Sequence, residues 1–252
     1  MHPKKLASAS QPLRIFVIFY LLLVACNAEK KDKDTNVKAY VQIEGAMKDV
    51  MWKGALDGQI SLDTLDQKSM LNGLGPEAFL TGELLVIDGK SYVGRVATDT
   101  SMAIGQTFDV KAPFFVYSYV AEWEKESIPK TLKSLTDFEN WLDLKIQNEG
   151  KPFAFKLTGS IKSAKIHLQN LPEGTQVSSP AEAHQGQQTY SVADKEVTVL
   201  GFFSRAHQGV FTHHDSFIHL HLITKDLSLM GHVDSLVFGN SPITLHLPKG
   251  SN

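Results

Sequence analysis

The amino-acid sequence predicts an α+β protein, with strands and helices in its first half and a largely antiparallel β half after Pro152. Three observations carry that prediction. Apolar residues alternate with polar ones in short segments from Phe153 onward, the period of a half-buried strand. One segment, Thr131–Gln147, places Leu132, Leu135, Phe138, Leu142 and Ile146 at helical spacing. Asp88-Gly89 stands between two apolar runs, a strong short-range hairpin signal. The chain has 252 residues, 42% of them hydrophobic and 21% charged, enough for a sizeable core. Its net charge of −2 gives no electrostatic footprint for nucleic acid.

In chain order, the first segment reads as an address. Lys4, Lys5 and Arg14 precede the apolar run IFVIFYLLLVA, 11 residues from Ile15 to Ala25, too short to span a bilayer comfortably and suited to a signal peptide. It ends in Leu23-Val24-Ala25-Cys26, which looks like a bacterial lipobox. Cys26 is the only cysteine, so no disulfide forms within the chain, and lipidation is the expected use of its thiol. A plain secretory signal with a chance cysteine is the alternative. Residues 26–36 are polar and charged, as in a flexible tether. The folded part then divides into an N-terminal α+β domain, 37–150, and a C-terminal β domain, 151–252. Expected elements are a strand at Ala39–Glu44, a helix at Met47–Leu56 and a short helix from Ser61. The hairpin Leu84–Val96 and a strand at Pro113–Val120 follow, then the helix Thr131–Gln147. Strands are expected at Phe153–Leu157, Lys165–Leu168, Val197–Phe203, Ile218–Leu222, His232–Phe238 and Ile243–Leu247, with a polar loop at Gln185–Tyr190.

Nine of the ten histidines lie at or after His167. Ile218-His219-Leu220-His221-Leu222 alternates, so His219 and His221 share one strand face, roughly 7 Å apart at Cα. Lys225-Asp226-Leu227-Ser228 reads as a hairpin turn. Centred between Asp226 and Leu227, it sets His221 opposite His232. Three imidazoles then converge, the donor set of a catalytic zinc site with one coordination position open. The same spacing also describes polar positions on a solvated strand face. Glu83 follows Gly82 at the entry to an apolar strand. It is a candidate metal ligand or acid/base group, or else a solvated strand-end glutamate.

These segments, in order, resemble the bacterial α-acetolactate decarboxylases. The resemblance rests on QIEGAMKDVMWKGALDGQISLDTL, GLGPEAFLTGELLVIDGKSY, KAPFFVYSYV, KPFAFKLTGSIKSAK, TVLGFF and IHLHLITKDLSLMGHV, covering about Val41 to Phe238. It implies an N-terminal mixed sheet, a C-terminal β-barrel-like domain and a homodimer. It also implies removal of CO2 from 2-acetolactate to give acetoin, zinc held by His219, His221 and His232, and Glu83 in the site. No organic cofactor is implied, and the only membrane contact expected is the lipid anchor, at the bacterial cell envelope. The chain departs from the family pattern at three places. His167 stands where an arginine falls, Pro76 where a threonine falls, and no carboxylate follows Asp234 where a tail glutamate is expected. His167, Lys165 and Arg205 are therefore the candidate groups for holding a keto-acid carboxylate, although an imidazole cannot copy a bidentate guanidinium.

Overall fold

The computed structural model describes residues 1–2, 40–146 and 150–250. The segment from residue 3 expected as a signal peptide, Cys26 and the expected tether lie outside the described residues. Asn36–Asn252 form one compact unit. Among the described residues, no helix is long and apolar enough to cross a membrane.

The chain opens with β1 (Val41–Glu44), α1 (Met47–Lys53) and β2 (Ile60–Ser61). Then come β3 (Leu71–Pro76), β4 (Glu83–Ile87), β5 (Lys90–Thr98), β6 (Ser101–Gln106), β7 (Lys111–Ala112) and β8 (Phe115–Tyr119). Six of these strands form a sheet ordered β1-β8-β3-β4-β5-β6, while β2 and β7 make a two-stranded ribbon. Every pairing in the six-stranded sheet is antiparallel. Direct hairpins link β4, β5 and β6, and a hairpin admits no other direction. The β4–β5 turn has positive φ at both Asp88 (46°) and Gly89 (79°), as the twist-matched two-residue hairpin requires. Ser61 starts a single 3₁₀ turn at Leu62–Thr64.

The second half contributes β9 (Trp123–Ser127), α2 (Leu135–Lys145), β10 (Phe153–Leu168), α3 (Pro180–Ala183), β11 (Gln188–Phe203), β12 (Ile218–Thr224) and β13 (Met230–Pro248). β10 pairs with β11, β11 with β12, β12 with β13, and β13 returns to β10, so four antiparallel strands close a ring. This is the barrel-like architecture expected. β9 adds to the outer edge of β13.

Several sequence boundaries move. The segments expected as separate strands around Gly159 are one strand, β10, and those around Gly239 are one strand, β13. Register shifts at Gly159/Ile161 and Ile161/Ser163 absorb the irregular residues as bulges and let the ladder continue. The loop expected at Gln185–Tyr190 ends at Gln188, where β11 begins. The long helix begins only at Leu135. Ser134 Oγ accepts from Asp137 N (3.1 Å) and Asp137 Oδ2 accepts from Ser134 N (2.9 Å), a reciprocal cap that fixes the start.

One core takes Phe155, Val199, Leu220, Leu236 and their neighbours from all four ring strands and adds Phe138 and Leu142 of α2. A second joins the two sheets: Leu74, Leu85, Tyr92 and Val116 pack with Leu200, Phe202, Ile223 and Met230. That shared apolar layer brings the start of β4 against β12.

Candidate metal centre

The β12–β13 turn sets the site. Asp226 Oδ1 accepts from Thr224 Oγ1 (2.6 Å), Ser228 N (3.1 Å) and Ser228 Oγ (2.6 Å), and Thr224 N donates to Leu229 O (2.9 Å). Leu227 takes φ 55°, so the chain reverses tightly. The resulting register places His221 opposite His232 and Leu222 opposite Gly231, as the sequence predicts. Gly231 is required by close approach, since a Cβ there would sit 2.4 Å from the carbonyl oxygen of His167. β13 can thus press against β10 immediately before His232.

His219, His221 and His232 are all buried. Their ring centroids are 5.1, 4.9 and 5.6 Å apart for the pairs 219–221, 219–232 and 221–232. One donor nitrogen from each lies within 4.8 Å of the others, close enough to hold a metal ion together. His219 Nε2 and His232 Nδ1 are 3.1 Å apart, near the roughly 3.3 Å edge of a tetrahedron with metal–nitrogen bonds of about 2.0–2.1 Å. His221 Nδ1 donates to the carbonyl of Leu84 at 2.9 Å, which leaves the lone pair on Nε2. That Nε2 is buried without a hydrogen-bond partner, a cost that coordination would remove. Burial is the main cause that lowers the pKa of all three rings, His221 to about 3, and favours the neutral form that binds metals.

Glu83 opens β4, beside the Leu84 carbonyl that orients His221. Its Oε2 lies 3.5 Å from His221 Nε2, and the residue is 3% exposed. Burial pushes its carboxyl well above the ordinary carboxylate range, and Asp234 and Glu77 push it the same way. It is therefore not a solvated strand-end glutamate.

The other predicted groups divide. His167 lies opposite His232 across β10 and β13, with ring centroids 4.6 Å apart, and its Nδ1 is 2.6 Å from Asp234 Oδ1. Lys165 is exposed on β10 and does not line the cavity beside the histidines. Arg205 is also elsewhere. Its Nε donates to Asp143 Oδ1 of α2 at 2.6 Å, its second nitrogen meets Oδ2, and the guanidinium lies over Phe217. The expectation that either cation reaches the site is thus corrected: strand alternation turns Lys165 outward, and an ion pair holds Arg205. The cavity, about 30 Å³, is lined by Glu83, Gln169 and five histidines, with Met47, Met51 and Leu80 among its apolar walls. No lysine or arginine lines it among the described residues. His184 and His213 also belong to this lining, and the fold brings them there.

A family model, Alpha-acetolactate decarboxylase, matches residues 30–249. The chain belongs to that family. It is 25% identical over 195 residues to the alpha-acetolactate decarboxylase of Lactococcus lactis subsp. cremoris, covering 76% of this chain and 78% of that protein. It is 27% identical over 188 residues to the Methanosarcina mazei alpha-acetolactate decarboxylase, covering 73% and 62%. The crystal structure of alpha-acetolactate decarboxylase from Bacillus subtilis strain 168 shares the fold, with a TM-score of 0.70 at 22% identity over 84% of this chain and 86% of that one. Within this family's fold, the imidazole trio comes from the ring and the carboxyl from the other sheet.

Proposed function

We propose that the protein is a zinc-dependent decarboxylase that converts 2-acetolactate to acetoin and CO2. The observation that carries the reading is the meeting of three neutral imidazoles with a buried carboxyl, Glu83, in a family whose named relatives are acetolactate decarboxylases. His219, His221 and His232 would hold the zinc. Bound there, it supplies a Lewis acid that draws electrons toward the ketone oxygen of a β-keto acid as the bond to CO2 breaks. The chain's own groups do the rest. Leu84 fixes the His221 ring through its carbonyl. Met47, Met51 and Leu80 exclude water from the reacting carbon. Glu83, held toward its protonated form by burial, is the group that delivers the proton replacing CO2 on one face of the product.

The cavity is small for a keto acid, so entry requires displacement of its walls, for which the flexible side chains of Met47 and Met51 are suited. A second reading, metal binding without turnover, is favoured by the lack of a lysine or arginine in the described lining. Incubation of the purified protein with racemic acetolactate, followed by an acetoin assay, separates the two. Acetoin at no more than the spontaneous rate, with zinc fully bound, overturns the decarboxylase reading. We place the protein at the bacterial cell envelope, lipid-anchored through Cys26, and as a homodimer. The lone cysteine after Leu23-Val24-Ala25 supports the anchor, and the family resemblance supports the dimer.

A further inference from the structure

The chemistry proposed above leaves the His167–Asp234 pair without a role. Asp234 occupies a special place in the ladder. Val233 pairs with Ile166 and Ser235 with Lys165, so Asp234 is the extra residue of a bulge. A bulge re-aims the side chain it carries, and here the carboxylate meets His167 Nδ1 at 2.6 Å. A carboxylate on one ring nitrogen fixes the tautomer and raises the basicity of the imidazole, the arrangement commonly found behind metal-ligating histidines. The neighbouring ring is His232. One donor atom each from His167, His232 and Asp234 lies within 4.8 Å of the other two.

We propose that His167, Asp234 and His232 form a second site, for a first-row divalent transition cation. Two imidazoles and one carboxylate match the preferences of such ions and leave coordination positions open. His232 turns Nδ1 toward His219, which leaves Nε2 as the nitrogen that would serve the second site. With both sites occupied, His232 would serve both cations, which requires its remaining N–H proton to pass to solvent. His184 and His213 supply further nitrogen at the rim. The rings of His184 and His167 are 6.5 Å apart, and those of His213 and His232 are 5.0 Å apart. A single cation on the trio leaves these donors unused. The second site stands on geometry and does not depend on the decarboxylase reading.

The test is metal stoichiometry. The full-length chain, free of any histidine tag and held in detergent, is stripped with a chelator and dialysed against excess cobalt(II). Bound metal is counted by mass spectrometry and followed by visible absorption. Wild type is expected to hold about two equivalents, and Asp234→Asn and His167→Asn about one each. His221→Ala, which damages the trio alone, is also expected to keep about one. In the Asp234 and His167 variants the remaining equivalent also reports that the fold and the trio are intact. A wild type that holds one equivalent, or variants at both Asp234 and His167 that still hold two, would overturn the second site and leave the pair as a support for His232. Acetoin formation does not enter the result, so the outcome is independent of the decarboxylase assay.

Discussion

Gly231→Ala tests the close approach that sets His232. The added Cβ would lie 2.4 Å from the His167 carbonyl oxygen and 3.1 Å from its carbon, where ordinary contact begins at 3.4 Å. The neighbours are backbone atoms, so no side-chain rotation relieves the overlap. β13 must move by about 1 Å away from β10, and overpacking of this kind costs about 1–3 kcal/mol. In a unit of this size each kcal/mol lowers Tm by about 2–4 °C, so a fall of about 2–12 °C is expected. The shift also draws His232 from the trio, and metal affinity is expected to fall about 10- to 100-fold. The assays are thermal unfolding of the metal-free protein and competition with a chromophoric chelator. Gly239→Ala on the same strand is the control. Its Cβ would meet only Lys162 atoms, from 3.6 Å outward, and its effect is expected to stay within about 0.5 kcal/mol. If Gly231→Ala matched that control in both assays, the claim that backbone proximity positions His232 would be wrong.

Glu83→Gln is expected to lower acetoin formation about 10²- to 10⁴-fold with metal content unchanged, the range for loss of a proton donor. It also has a pH signature. The pKa of folded Glu83 is raised, so its contribution to stability is present below the ordinary value of 4.5 and is lost as pH rises through the raised value. Denaturation of metal-free protein should therefore show wild type losing stability relative to Glu83→Gln with rising pH. The trio works in the opposite sense. Its folded pKa values are depressed, so its contribution is present above the ordinary 6.5 and is lost as pH falls. Below about pH 6.5, wild type should destabilise more steeply than His221→Ala, which should also bind metal at the trio at least about 100-fold more weakly. Arg205→Ala should leave acetoin formation unchanged and cost about 1 kcal/mol or less in denaturant titration, because the Arg205 side chain of its ion pair with Asp143 is more than half exposed.

The trio was legible because it is local. Period two puts His219 and His221 on one face, and the length of a turn rich in polar residues fixes their partner. The ring strands were harder to read. Gly159 and the Gly239-Asn240-Ser241-Pro242 stretch look like strand ends, yet bulged pairing carries β10 and β13 through them. β3 reads LNGLGP and shows no strand propensity. Its glycines serve packing: a Cβ on Gly73 would meet the Phe115 ring at 2.6 Å, which only the assembled sheet reveals. Lys165 and Arg205 carry the charge a keto-acid carboxylate needs, but charge says nothing about which way a strand faces or which carboxylate captures a guanidinium. The Asp234 bulge depends on the β10–β13 register, a long-range property that no window of sequence carries.

His221 belongs to the ring, yet the carbonyl that steadies it and the acid beside it belong to β4 of the other sheet. Sliding one sheet over the other would change the distance from the Glu83 carboxyl to the trio while leaving the three imidazoles together. Under the proposed mechanism, Leu85, Phe202 and Met230 of the shared apolar layer would hold that alignment without touching the substrate. On that reading, substitutions in this layer that shift the sheets are expected to lower acetoin formation with metal content unchanged.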